Sequence, residues 1–304
     1  MSPTQTVTTD GSGHYSFTVF DGTWTVTASA SGYTTPADQS VTMAGGPITG
    51  VTFALMGSGR NIPQMDKLLF ALYSTDLNVN GATTTPWPLE HPKGLTAAVM
   101  GNPVLATVKS LQWEQNRYLT GDGYRIKEYA APIPVTGITA MAVVQPNGNG
   151  NDGGNWASVI DVMYSRFVLC VRGTTGLIRV CRNGVWNDST TTLTNGNKTM
   201  LTAVVQADGT YKVFANGKQV MDVTSTSDMT SLDPIVSTWG ATGTGYWSYI
   251  NVGRNNPDGW TTYQGNIGAA FLWKTALSEV ERVKFEADLK QLYDPPPGMI
   301  IRVY

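Results

Sequence analysis

The carboxylates of this chain are too scattered to read as a catalytic pair. Cleaving a glycosidic bond with retention needs two carboxyl groups about 5–5.5 Å apart, which a strand supplies most simply through an i, i+2 or i, i+4 spacing on one face. Glu114 is followed by Gln115 and Asn116, and Asp161 stands in the run Val159-Ile160-Asp161-Val162-Met163 with no acidic neighbour. A solitary Asp in an apolar strand reads as a hydrogen-bonded or calcium-associated structural residue, because general acid/base work needs a partner within reach. The two histidines, His14 and His91, fall in different parts of the chain, Cys170 has no histidine near it in sequence, and no Gly-x-Ser-x-Gly elbow occurs. No catalytic residue is assigned, and acids converging from separate strands remain the one route to an enzyme.

Aromatic residues set among turn-forming ones carry a different chemistry. Trp239, Tyr246, Trp247, Tyr249, Trp260 and Tyr263 crowd a stretch rich in Gly, Thr and Asn, and Trp156 follows the Asn/Gly run 147–155. Sugar rings present C–H faces that lie on aromatic rings, while Asn, Asp and backbone groups take their hydroxyls. The expected ligand-binding residues are Trp156, Trp247, Trp260, Tyr246, Tyr263 and Asn155. The competing use of such rings is packing between sheets, expected for Trp113 and Trp273 in their apolar runs. Asn151, Asp152 and Asp258 offer hard oxygen ligands suited to calcium, although neither segment has the alternating acidic spacing of a defined calcium motif and Asn, Asp and Gly also simply favour turns. Calcium is the one cofactor considered, and none is required.

Composition narrows the partners. A formal net charge of -2 with a pI near 5.7 gives no broad basic footprint, so nucleic acid is not the expected partner. No run approaches the ~20 apolar residues that span a bilayer, and Met1-Ser2-Pro3-Thr4-Gln5 has neither the cationic start nor the apolar stretch of an export signal. Gly 33, Pro 16 and only 14% charged residues describe a turn-rich β protein. At 304 residues two unequal domains are expected.

The pattern along the chain bears this out. Period-two alternation marks strands at Tyr15–Val19, Thr23–Ala28, Gln39–Met43 and Val51–Leu55, followed by a Gly/Pro linker near 57–66. Asp208-Gly209 and Asn216-Gly217 bracket Tyr211–Phe214 as hairpin turns. Phe167–Arg172 and Leu177–Cys181 flank Gly173-Thr174-Thr175-Gly176 as a further hairpin. With that turn centred on Thr174-Thr175, Cys170 faces Arg179 and lies only diagonal to Cys181, ~7 Å between Cβ atoms, where a disulfide wants ~3.8 Å. Two free thiols are expected, unless a bulge shifts the register; Leu169, Val171, Ile178 and Val180 would then share the core side. Ser278-Glu279-Val280-Glu281 is a capping box opening one helix, with Val280, Val283, Ala287 and Leu292 as its expected apolar stripe and Pro295-Pro296-Pro297 as its stop. Beyond it, Met299–Tyr304 is short, apolar and β-prone, and is expected to add a strand to a sheet of its own chain or of a neighbour's.

Two resemblances sharpen the fold. Thr9-Asp10-Gly11-Ser12-Gly13-His14-Tyr15-Ser16-Phe17 followed by Gly22–Tyr33 resembles the later part of carboxypeptidase-regulatory-like and Cna B-type immunoglobulin-like modules. Leu68–Leu72, Leu111–Trp113 with Asn116–Leu119, Ile138–Val144 and Lys212–Lys218 resemble the laminin G-like branch of the concanavalin A-like lectin and glucanase superfamily. Ile250-Asn251-Val252-Gly253-Arg254, Tyr263–Trp273 and Ala276–Arg282 carry its closing pattern. The Glu-x-Asp-x-x-Glu strand of that superfamily's laminarinase-like enzymes has no match. The implied architecture is all-β: a partial immunoglobulin-like β-sandwich (1–56), a linker (57–66), a concanavalin A-like jelly roll closed by one C-terminal helix (67–294), and a Pro-rich spacer with a β-prone tail (295–304). The implied function is a non-catalytic, carbohydrate-binding or adhesive module of a larger secreted or surface protein, with a polysaccharide or glycoconjugate as partner and oligomers formed through strand addition. The alternatives are a glycan-cleaving hydrolase or lyase and a structural phage virion decoration.

Overall fold

In the computed structural model the described residues are 4–9, 14–29, 33–34, 37–51, 53, 56–57, 61–73, 87–88, 96–100, 104–105, 113–115, 123–128, 131–146, 157–163, 166–172, 175–224, 227–233, 235–237, 245–247, 249–253, 263, 265–293 and 300–303. They are almost entirely strand and turn, with one α-helix, Glu279–Tyr293. The chain forms two compact units, Met1–Pro63 with Lys284–Tyr304, and Gln64–Val283.

The larger unit is a jelly-roll sandwich of two eight-stranded sheets between which the chain repeatedly crosses. In the first, Lys218–Val223, Tyr211–Ala215, Thr199–Gln206, Gly137–Pro146, Gly265–Trp273, Trp113–Gln115 and Val104–Leu105 lie in that order, and Leu68–Tyr73 also pairs with Gly265–Trp273. In the second the order is Val185–Thr192, Leu177–Arg182, Phe167–Val171, Ala157–Val162, Tyr249–Val252, Gly123–Glu128, Thr96–Met100 and Trp87–Pro88. Alternate residues of both sheets meet in one core: Ile138, Ala140 and Ala142 from the first, and Ile160, Leu169, Val180 and Val252 from the second. Asn216-Gly217 turns the Tyr211–Val223 hairpin with both residues at positive φ, 49° and 79°, the mirror-image turn that matches strand twist.

Register in the Phe167–Arg182 hairpin follows the sequence expectation. Cys170 faces Arg179 and Cys181 faces Val168. Leu169, Val171, Ile178 and Val180 point into the core, while Cys170 and Cys181 share the opposite face with Val168 and lie against Trp186 as free, buried thiols.

The capping box also forms: the Ser278 amide donates to Glu281 Oε2 at 2.9 Å and the Glu281 amide donates back to Ser278 Oγ at 3.3 Å. The helix stripe needs correction. Val280 and Val283 are 79% and 49% exposed and Ala287 is exposed, whereas Arg282, Phe285, Glu286, Leu289 and Tyr293 are buried. The larger rings and Leu at i, i+4 and i+8 set the buried face, and Arg282 joins it by laying its guanidinium 3.7 Å from the Phe214 ring centroid.

In the smaller unit the tail strand Ile300–Val303 is an interior strand. It pairs antiparallel with Gln5–Thr8 on one side and Gly22–Ser29 on the other, and Gln39–Met43 completes a four-stranded sheet. Of the four strands expected from alternation, Thr23–Ala28 and Gln39–Met43 are in this ladder. Tyr15–Val19 lies outside it, as do Val51 and Phe53. Tyr15, Phe17, Val19 and Phe53 nevertheless pack on Trp24, Val26 and Ala28, the three buried apolar residues of this cluster.

Candidate functional site at one end of the jelly roll

Two crossings between the sheets begin and end beside one another. Strand Gly137–Pro146 of the first sheet stops at Pro146, opposite Gly265, and the segment 147–156 leads from there to Ala157–Val162 in the second sheet. Strand Tyr249–Val252 of the second sheet is followed by Gly253, whose amide donates to the Val159 carbonyl at 2.9 Å. The segment 254–262 then returns to Tyr263, whose amide donates to the Gly253 carbonyl at 2.9 Å, and on to Gly265–Trp273 in the first sheet. Antiparallel pairing of Ile160 with Val252 and of Pro146 with Gly265 puts all four roots at the same end of the sandwich.

Asn151, Asp152, Asn155 and Trp156 belong to the first crossing, and Asp258 and Trp260 to the second. These six lie outside the described residues, while the strand ends that hold their segments lie inside them. The roots carry a polar rim that sequence reading passed over. Asn266 donates through Nδ2 to Gln145 Oε1 at 2.9 Å, Gln145 donates through Nε2 to the Gly196 carbonyl at 2.5 Å, and the Gly196 amide donates to the Pro146 carbonyl at 2.7 Å. Gln145 precedes a proline at a strand end and Asn266 follows a strand-opening glycine; pairing the two needed the register between strands 120 residues apart.

The remaining expected ligand residues go elsewhere. Tyr246 and Trp247 sit in the short strand Gly245–Trp247, where Trp247 pairs with Ile235. That strand leads into the start of Tyr249–Val252, the end remote from Gly253, so four residues of strand, ~13 Å, separate it from the crossings. Tyr263 is corrected outright as a ligand contact: it is 1% exposed and its ring belongs to the sandwich core. Anchoring its amide on Gly253 turns the ring inward, and burial pushes its hydroxyl well above the ordinary tyrosine pKa.

A polar seam runs from this end along the second sheet, on the face turned away from the core. Ser158 faces Cys170, and Asp161 faces both Val168 and Asn251; all three polar residues are 0% exposed. Among the described residues both amide atoms of Asn251 and the Ser158 hydroxyl are buried without a hydrogen-bond partner, a state that buried polar groups seldom keep. Further along the same face Asp188 is held by Arg179 and Arg172, the latter at 3.2 Å, and Arg179 lies 5.4 Å from the Trp186 ring centroid. Hydrogen bonding from Arg179, with its charge and that of Arg172, holds the Asp188 carboxyl below its ordinary pKa. Asp161 and Asp188 stand on strands three places apart, ~14 Å, beyond the ~5–5.5 Å of retaining and ~6.5–9.5 Å of inverting glycosidases. Burial pushes the Cys170 thiol well up, so it is a packing group rather than a nucleophile. Among the described residues no three His, Cys, Asp or Glu side chains come together to hold a metal ion.

The described residues thus define an all-β chain whose larger part is a jelly-roll sandwich. No protein family profile and no curated protein matches the sequence. Solved structures similar to it include the ligand binding domain of botulinum neurotoxin serotype D in complex with N-acetylneuraminic acid (TM-score 0.49, 15% identity, 73% of this chain and 51% of that one). Trypanosoma rangeli sialidase is similar over 76% of this chain and 34% of its own (TM-score 0.47, 14% identity). The heptameric SAP-like pentraxin of Limulus polyphemus is similar over 56% of this chain and 77% of its own (TM-score 0.37, 12% identity). This chain therefore spans about a third of the sialidase and about half of the neurotoxin domain.

Proposed function

We propose that the chain is a non-catalytic module that binds a polysaccharide or glycoconjugate at the crossing-loop end of its jelly roll. The observation that supports this reading is that the strand ends from which segments 147–156 and 254–262 depart lie beside one another, and Trp156, Trp260 and Asn155 fall within those segments in sequence. Stacking rings beside amide and carbonyl groups is the mixed surface that recognises a sugar's apolar face and its hydroxyls together. Gln145 and Asn266 brace that end. The distance between Asp161 and Asp188 speaks against a paired-carboxylate hydrolase on the sheet face.

A glycan array identifies the ligand, and titration of three variants tests the site. Trp156→Ala and Trp260→Ala are expected to weaken binding at least tenfold with melting temperature nearly unchanged, while Trp247→Ala, at the other end of strand Tyr249–Val252, leaves it intact. Equal losses in all three, or loss only with Trp247→Ala, would overturn this placement. Release of reducing ends from an array hit would replace the binding reading with the enzymatic one.

A further inference from the structure

We infer that the larger unit carries a binding site for one neutral sugar ring in a cavity on the outward face of its first sheet, beside the start of the helix. Register places it. Val204 faces Lys212 and Lys212 faces Asp222, while Phe214 faces Gln219 in the adjoining row. Both rows turn away from the core, because the intervening Ala203, Val205 and Val213 are core residues. Leu277, Glu279 and Arg282 form the opposite wall. The cavity between them holds about 240 Å³. At the ~30 Å³ that each water occupies in the liquid this is room for about eight waters, enough for one ring with its hydroxyls and too little for two. Gln206, also in the wall, faces Gly137, so the cavity lies at the end of strand Gly137–Pro146 remote from Pro146, ~30 Å from the roots of the crossing loops. The site rests on different residues from the crossing-loop site and stands or falls without it.

The chemistry of the walls selects the ligand. Val204 and Leu277, 6% and 3% exposed, give an apolar floor, and Gln206, Lys212, Gln219 and Asp222 stand exposed around it. Charge in the wall is balanced, Lys212 and Arg282 against Asp222 and Glu279, so a small ion of either sign meets as much repulsion as attraction. Arg282 is laid on the Phe214 ring, and the helix start is closed by its capping box, in which the Glu281 amide donates to Ser278 Oγ. What remains for a ligand is hydroxyl chemistry. Lys212 Nζ lies 3.7 Å from Asp222 Oδ2, an ion-pair distance too long for a hydrogen bond, and Gln219 Nε2 donates to the same oxygen at 3.3 Å. A hydroxyl seated between Lys212 and Asp222 would accept from the ammonium and donate to the carboxylate, both bonds charge-assisted. The Gln206 and Gln219 amides each offer a donor and an acceptor for the neighbouring hydroxyl. A sugar ring brings vicinal hydroxyls and an apolar C–H face together, which matches polar walls over an apolar floor.

The test titrates the full chain with the methyl glycosides of glucose, galactose, mannose and N-acetylglucosamine, up to tens of millimolar, and follows backbone amide resonances. The expected result, with at least one glycoside, is saturable shifts at Lys212, Gln219, Asp222 and Glu279. Asp222→Asn should weaken that binding by about tenfold, the worth of a hydrogen bond to a charged group. Gln219→Trp, which fills the cavity from an exposed position, should abolish it, and neither variant should move the melting temperature. Trp156→Ala and Trp260→Ala should leave these shifts intact. Glycoside binding that vanishes with those two variants and survives Gln219→Trp would assign the sugar to the crossing loops, overturning this inference and leaving the earlier reading in place. Undiminished binding in both Asp222→Asn and Gln219→Trp overturns it as well. Displacement of the glycoside by acetate or choline at constant ionic strength would make the cavity an ion site and overturn it equally, as would the absence of saturable shifts at these four residues with every glycoside.

Discussion

The two units bury their apolar residues in opposite ways. In the jelly roll both sheets contribute to one dense core, and even the outward face of the second sheet is closed, with Cys170, Cys181, Asp161 and Asn251 at 0% exposure. In the four-stranded sheet of the smaller unit the apolar cluster has three buried members among the described residues, Trp24, Val26 and Ala28, and their neighbours Tyr15, Phe17, Val41, Met43 and Phe53 are only partly buried. Burial of apolar area is the dominant favourable term in folding, at roughly 25 cal/mol per Å². The jelly roll can therefore stand on its own packing, whereas the smaller unit depends on each strand it can recruit.

Removing residues 299–304 is the harshest way to break that contrast. It takes out an interior strand and leaves Gln5–Thr8 and Gly22–Ser29 without the ladder that joins them. Calorimetry of the truncated chain should show loss of the transition belonging to the smaller unit, with the jelly-roll transition retained. A truncated chain that keeps both transitions would show that the tail is dispensable.

Next in size comes a matched pair of Phe→Ala substitutions. Phe167, 0% exposed in the jelly-roll core, should cost about 3–5 kcal/mol on truncation, because the surrounding sheets cannot collapse onto the cavity. Phe53, partly exposed beside an existing cavity, should cost about 1 kcal/mol. Urea titration of each variant measures both, and comparable values would erase the distinction between the units.

The jelly roll was legible in sequence because its signals are local: Asn216-Gly217 turns a hairpin, Ser278 and Glu281 cap a helix, and alternation in Phe167–Cys181 sets the register that separates Leu169 and Val180 from the thiols. Where two local readings competed, larger side chains decided, as when Phe285, Leu289 and Tyr293 rather than Val280 and Val283 became the buried helix face. The candidate site was legible only as a set of residue types. That segments 147–156 and 254–262 share an end depends on pairings such as Pro146 with Gly265, and that Tyr263 turns inward depends on its bond to Gly253. Neither contact leaves a periodicity to read. The tail strand was anticipated from β-propensity, but its interior place in the sheet follows from partners nearly 300 residues away.

The closed outward face of the second sheet yields a finer test. Because burial raises the Cys170 thiol and both cysteines are free, a thiol reagent at neutral pH should label neither in the native chain and two per chain once it is denatured without reductant. Rapid native labelling would mean that this face opens, and the comparison with the smaller unit would have to be redrawn. No labelling after denaturation would indicate a disulfide and contradict the register of Cys170 against Arg179.

The smallest effect lies at the rim of that same face. The Asp188 carboxylate accepts from Arg179 and Arg172, which lowers its pKa in the folded chain below the ordinary 3.8. A carboxyl group depressed on folding stabilises the folded state at all pH values above its unfolded pKa, and that contribution fades as pH falls through the lower, folded value. Asp188 retains 29% of its side-chain exposure, so solvent screening keeps the contribution to about 1 kcal/mol or less. Stability of the jelly-roll transition should therefore be lower in Asp188→Asn than in the unaltered chain at pH 7, and the two should converge as pH falls from 3.8 through the lower, folded pKa of Asp188. High salt should narrow the gap at pH 7, since part of it is the attraction of exposed charges. A gap that persists unchanged into acid would assign the effect of Asp188 to packing beneath Arg179 and Trp186 rather than to its charge.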